Sequence, residues 1–588
     1  MKKIFGLALA GLTLLTAVSC SDSSFNSKYE DPSKTSTVGV PQVFTGILYK
    51  GNNWMNPAYY RYYVQSTTSG FYSGVIGNAN SRGRFRGASE GYYNTRWQNF
   101  YDMLTQYRLL EDNYNKLEEA QQPSNKIFLL LGRTIMQAQL HEMLSIWGDV
   151  PYTGASTIWK TSNYADAKAK DVFDSDVETY KTILKDLKEV GDYFAAGNLN
   201  ATGLASLKRQ DFTVADGKAD IWQRYVNSLR LRIALHLATH GECVSDAKAA
   251  IKEILENPST YPLIDDNSQN QGVAADTQTD EFNYGKSVSQ ALSGNGNCSG
   301  SQTMLDAMNV GANGYPNANT DPRLPLIYDP NPMGRYVAYD VSKSSTEISD
   351  LATDSIKVYQ SLGIKSANYY CVIDSQAVQG WATYQGNEHL TFSWINAAEV
   401  SLSKAECYLN GYGVAANATK AKECFVQGVA QSFEYYKNLK TKSTLYKAVD
   451  ATHFNDSYGG KRITKLPTEA QAIAYANSIW DGSEKVVATQ LWLNFSFTNE
   501  LEAWNVVRRT GFPKVTFATD AQASSYPTPA HRLPYTSDEL TYNAENVQAV
   551  IAKKYKEPTG YYTKLFWANP QDYYNCLLYT SDAADEED

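Results

Sequence analysis

Within Val172–Val190, apolar side chains fall at Phe173, Val177, Tyr180, Leu184 and Leu187, in steps of four, three, four and three. That spacing lines one side of an α-helix and leaves the other side polar. The same period recurs over Phe100–Leu117, Asn125–Trp147, Asp220–Thr239 and Ala247–Leu255. It returns over Trp394–Leu409, Lys420–Leu439, Glu469–Trp480 and Glu484–Val507. A half-apolar helix is marginal alone and is held by whatever covers its stripe, so the series predicts a mainly α array of helix pairs. No strict repeat length is present, and the solenoid-like reading rests on pairing alone.

Between about 259 and 390 the helical period disappears, and Gly, Asn and Ser cluster, as in Ser293–Asn297. A structureless loop of that length is improbable inside a folded chain. An irregular, loop-rich subdomain is therefore predicted for 259–390, between helical regions at 41–258 and 391–570. Gly511 to about 569 reads as an extended, Pro-rich segment wrapping the surface. Residues 576–588 differ from what precedes them and place five acids in the last seven positions, which predicts a disordered or non-native tail.

The N-terminus pairs Lys2 and Lys3 with the apolar stretch Ile4–Val18, too short to span a bilayer, ending in Ala17-Val18-Ser19-Cys20. The pattern resembles a bacterial lipoprotein signal over 1–19, with Cys20 acylated and 20–40 a polar tether. An ordinary secretory signal is the competing reading. Several acyl chains on one residue would anchor stably, at about 0.8 kcal/mol per buried methylene. The seven cysteines include no CxxC pair, against zinc-ribbon and thioredoxin chemistry.

A net charge of −9 with no long basic run argues against nucleic acid. His141-Glu142 begins like a zinc-protease helix, but position 145 is Ser, and no P-loop occurs. No catalytic residue, cofactor or metal site is predicted. Paired carboxylates keep a glycan-degrading enzyme as a weaker alternative. The 43 tyrosines matter more, because tyrosine joins a flat apolar face to a polar tip and suits wet contact surfaces. Two loop regions combine aromatics with polar residues: Trp54–Trp97, and the irregular middle with Tyr284, Tyr315, Tyr369, Tyr370, Trp381 and Tyr384. Chosen by chemistry, the candidate ligand contacts are Trp54, Tyr72, Arg84, Tyr92, Trp381 and Tyr384.

Six blocks occur in order: Trp147–Tyr152, Trp222–Ala234, Asp321–Leu324, Asn396–Val400 with Lys404–Glu406, Glu502–Pro513, and Arg532–Tyr535 with Tyr542-Asn543. By their own chemistry they read as scaffold. Trp222, Tyr225, Leu229 and Ile233 form a buried stripe, Arg230 and Arg232 pair across helices, and Arg508 and Arg509 pin carboxylates or carbonyls. Together the blocks resemble the SusD/RagB family of Bacteroidetes outer-membrane lipoproteins. The resemblance implies atypical tetratricopeptide-like helix pairs supporting a loop-rich half. It also implies a surface lipoprotein that captures a glycan or other nutrient and passes it to a SusC-like TonB-dependent transporter. A structural or adhesion lipoprotein is the reading from a different class.

Overall fold

The computed structural model describes residues 38–579 except 59–60, 62–67, 78–89, 162, 171, 277, 279, 296–298, 341–342, 344, 365–368, 380–386, 444–445, 447–464, 521–529, 556 and 558. The main helices are α1 (Val40–Lys50), α2 (Glu90–Asn115), α3 (Gln122–Trp147), α4 (Asp176–Ala195), α5 (Ala201–Gln210), α6 (Ala219–Leu237) and α7 (Val244–Glu256). After them come α8 (Tyr284–Asn295), α9 (Gln302–Ala307), α10 (Ser345–Ser361), α11 (Ala397–Asn410) and α12 (Ala418–Lys442). The last are α13 (Glu469–Ile479), α14 (Glu484–Phe495), α15 (Glu500–Thr510) and α16 (Ala544–Lys554).

Neighbouring helices cover one another's stripes as predicted. α2 packs on α3, α4 on α3 and α6, α6 on α7 and α11, α11 on α12 and α14, and α12 on α13. Their starts are written in the sequence. Asn396, Asn417 and Ser483 accept hydrogen bonds from the backbone N–H three residues on, and Thr468 with Gln471 forms a capping box. Gly411 and Gly511 end α11 and α15 in the left-handed region at φ 69° and 81°, where a side chain would be strained.

The irregular middle is less structureless than its composition suggests, since α8, α9 and α10 fall within it. The antiparallel pair β1 (Tyr328–Asp329) and β2 (Val372–Ile373) crosses it, and bridges join Gly77 to Ser299 and Ser299 to Val372. Two corrections concern the C-terminal part. The stretch after Gly511 contains α16 and a strand, Val515–Asp520, in addition to extended chain. That strand pairs in parallel with Tyr574–Tyr579, so Cys576–Tyr579 belong to a strand and only 580–588 lie outside the described residues. One apolar cluster runs from Val40 to Tyr573 and includes residues of all three predicted regions.

The six blocks prove to be clamps between distant parts of the chain. Trp147 donates from its indole to Pro534 O at 2.8 Å, and Arg532 returns a hydrogen bond to Trp147 O at 3.1 Å. Arg232 forks onto Glu399 at 2.5 and 2.6 Å and also donates to Trp394 O. Arg509 forks onto Glu406, and Arg323 onto Asp321, with both members of each pair buried. Planar guanidinium–carboxylate pairs fix orientation as well as distance. The Arg232 and Arg509 pairs thus set the register of helices that apolar packing alone would let slide, while Arg323, oriented by Asp321, donates to Ser432 on α12 at 3.1 Å and to Gln490 on α14. Burial and the neighbouring side chains act oppositely on Glu502. Arg232 and His141, whose Nε2 lies 3.2 Å away, prevail and hold it well below the usual carboxylate range.

Glu500 behaves in the opposite way. Burial pushes its carboxyl up to about 8 against the pull of the Arg61 charge. The folded protein therefore holds a proton that the unfolded chain releases from about pH 4.5 upward. Stability is lost as pH rises from there to about 8, so Glu500→Gln should gain on the wild type steadily across that window. Thermal midpoints of both proteins between pH 5 and 8 test this, and parallel curves would contradict it.

Candidate functional site

The open aromatic surface lies on the irregular half, where three chain segments run side by side. Tyr336 N–H donates to Gly314 O at 2.7 Å, and Cys371 N–H donates to Val337 O at 2.8 Å. Asn331 joins the segments further, donating from its amide to Tyr369 O at 2.9 Å and accepting Arg335 N–H at 3.0 Å. Tyr315, Tyr339 and Tyr369 consequently stand on adjacent segments. Tyr315 is 43% exposed, and Tyr339 and Tyr369 are half-buried. Behind them Tyr370 stacks on Tyr339 with ring centres 3.8 Å apart and meets Tyr369 edge-on at 5.0 Å. Arg335 is held by its Nε donating to Asn313 O at 2.7 Å, and Asn313, Asn317 and Asn319 are exposed on the same stretch of chain as Tyr315. Burial raises the phenol of Tyr359, which is 2% exposed, to about 12. Flat apolar rings among exposed amides and a fixed guanidinium form a surface on which a ligand can stack and also hydrogen-bond.

The residues singled out from sequence are distributed differently. Trp54 is 2% exposed and sits beneath the Arg96 guanidinium, 5.3 Å from its ring centre. Tyr72 is fully buried against Trp504 at 5.4 Å. Both are part of the core and present no ring face to solvent. Tyr92 lies on α2 with its side chain outside the description, and Arg84, Trp381, Tyr384 and Cys20 lie outside the described residues. Tyr284 is also buried, donating to Asn52 at 2.6 Å. Tyr315, Tyr369 and Tyr370 come from the second aromatic region read in the sequence. Tyr339 and Arg335 were missed, because only the pairing of segments brings them to that surface.

A second feature is a cleft of about 690 Å³ between α9, α13, the start of α14 and the Phe512–Thr516 segment. Its wall includes the largely buried Tyr475, whose hydroxyl accepts from the Asn309 amide at 3.4 Å, and the half-buried Phe512. Asp306 accepts from Gln302 at 2.7 Å, and a hydrogen bond from Ser483 holds Asp481 below the usual carboxylate range. No sequence signal marked this cleft, since its lining is drawn from four separate segments.

Stacked helix pairs carrying a loop-rich aromatic face define a helical-scaffold binding protein. A family profile described as SusD-like, starch-binding and associating with the outer membrane, matches residues 33–536. The chain belongs to this family. Solved structures share the fold. One described as a chitin-binding protein superposes with a TM-score of 0.64 at 18% identity, covering 90% of this chain and 100% of that one. A chitin-binding SusD homologue from Flavobacterium johnsoniae gives 0.61 at 16% identity, covering 90% and 99%. A SusD homologue from Bacteroides thetaiotaomicron gives 0.60 at 17% identity, covering 91% and 100%. No curated protein matches the chain. Among the described residues no helix is long and apolar enough to cross a membrane.

Proposed function

We propose that the protein is a cell-surface lipoprotein that binds a glycan on its tyrosine face and passes it to a TonB-dependent outer-membrane transporter. The observation that carries this reading is the set of Tyr315, Tyr339 and Tyr369 on three paired segments, bordered by amides and Arg335. Sugar rings present C–H faces that stack on aromatics and hydroxyls that meet amides. Family membership supports the choice of a glycan, and the chitin-binding relatives of like fold support an amino-sugar or glucose polymer. Binding needs no chemistry at the site, so the protein acts by capture, without catalysis. Cys20 would supply the lipid anchor. Trp381 and Tyr384 remain proposed contacts.

Calorimetric titration with malto- and chito-oligosaccharides tests the site. Each tyrosine of the face contributes about 1 kcal/mol of contact, so Tyr315→Ala and Tyr369→Ala should each weaken binding about fivefold, and the double variant more than tenfold. Both side chains lie at the edge of the core, and thermal midpoints should hardly move. Unchanged affinity in the double variant would place the ligand elsewhere.

A further inference from the structure

The cleft between α9, α13, α14 and Phe512–Thr516 has chemistry of its own. Thr303, Thr489 and Thr516 line it, and their hydroxyls make no hydrogen bond to another described residue. Hydroxyls both donate and accept, which is what a ligand rich in hydroxyls requires. Lys485 and Lys514 add donors that form no ion pair among the described residues, and Asp306 and Asp481 add acceptors. The two lysines and two aspartates balance, so the cleft offers no net field to attract an anion or a cation. Tyr475 and Phe512 supply apolar wall, and a volume of about 690 Å³ lies within the range of small-molecule sites. A smaller cavity of about 30 Å³, lined by Tyr339 together with Gln302, Thr303 and Thr516, shares residues with both the cleft and the tyrosine face.

We infer that this cleft is a second binding site, taking a neutral mono- or disaccharide whose hydroxyls meet the three threonines and the Asp–Lys rim while a ring face lies against Tyr475 and Phe512. The inference rests on the lining of the cleft and stands whether or not the tyrosine face binds glycan. An ionic ligand would leave one pair of rim charges opposed to it. An apolar ligand would bury the threonine hydroxyls without partners, which disfavours it.

The test uses the full protein and a fixed set of probes: maltose, cellobiose, lactose and N-acetylglucosamine. Ligand-observed saturation-transfer NMR and calorimetry would be run on the wild type, Thr303→Val, Thr489→Val, and the Tyr315→Ala/Tyr369→Ala double variant. Valine keeps the shape of threonine while removing the hydroxyl, and a thermal melt checks that each variant is folded. At least one probe should bind saturably, lose about fivefold or more in each valine variant, and keep its affinity in the tyrosine double variant. The inference is overturned if no probe binds the wild type, or if the valine variants bind as the wild type does. It is also overturned if binding disappears only with the tyrosines, since the sugar then sits on the outer face. A folded Thr489→Ser variant should restore binding, separating a missing hydroxyl from a general loss of shape.

Discussion

Arg509→Ala is expected to lower the unfolding free energy by about 3–5 kcal/mol, because it leaves the Glu406 carboxylate buried without its partner. Glu406 is 0% exposed on α11, and Arg509 is 3% exposed in the last turn of α15. One arm of the fork measures 2.8 Å, and burial of both groups is what makes losing one so costly. The attraction between them chiefly offsets the desolvation of two ions. Replacing both, as in Arg509→Met with Glu406→Leu, should therefore recover most of the loss. Arg509→Lys should fall between, because a lysine keeps the charge and loses the planar fork. Urea unfolding followed by circular dichroism gives the comparison. A loss below about 1 kcal/mol for Arg509→Ala would put the pair in the range of exposed ion pairs and remove it from the scaffold's clamps.

Cys20→Ala should shift the protein from the outer-membrane fraction almost entirely into the soluble periplasm. The argument is the signal pattern, Lys2 and Lys3 before Ile4–Val18 and then Cys20, together with the lack of any membrane-spanning helix among the described residues. Acyl chains on Cys20, as proposed, would hold the protein through methylenes that each contribute about 0.8 kcal/mol in the bilayer. Cell fractionation with immunoblotting, plus metabolic labelling with an alkyne-tagged fatty acid, gives both readouts. Retention of the unlabelled variant in the outer membrane would mean that protein contacts hold it there.

Helices with a clean apolar stripe were legible in the sequence almost to the residue. Asn125–Trp147 and Lys420–Leu439 appear as Gln122–Trp147 and Ala418–Lys442. The misses have local causes. α2 begins at Glu90 and not at Phe100, because its first turns are weakly amphipathic and are held by tertiary contact: Trp97 meets Trp147 at 5.1 Å, and Arg96 donates to Glu142 at 3.0 Å. Glu484–Val507 read as one helix, yet it breaks at Ser496, which adopts φ 36°, and restarts with Asn499 as cap. Asn499 with Glu502 three residues later is a start signal that the unbroken apolar pattern concealed. The candidate site was harder to read because exposure is a tertiary property. Trp54 and Tyr315 look alike as aromatics in polar surroundings, but one lies beneath Arg96 in the core and the other stands on open chain. The cleft gave no signal at all, since Thr303, Thr489 and Thr516 become neighbours only after folding.

A glycan-binding partner of an outer-membrane transporter is recognised by its company in the native membrane. The protein, carrying an affinity tag, would be recovered from outer membranes solubilised in mild detergent, and its partners identified and quantified by mass spectrometry. A large TonB-dependent barrel at near-equal amount is the predicted result. Recovery of the intact, glycan-binding protein without any such barrel would contradict the uptake role and favour a surface protein that binds glycan for adhesion.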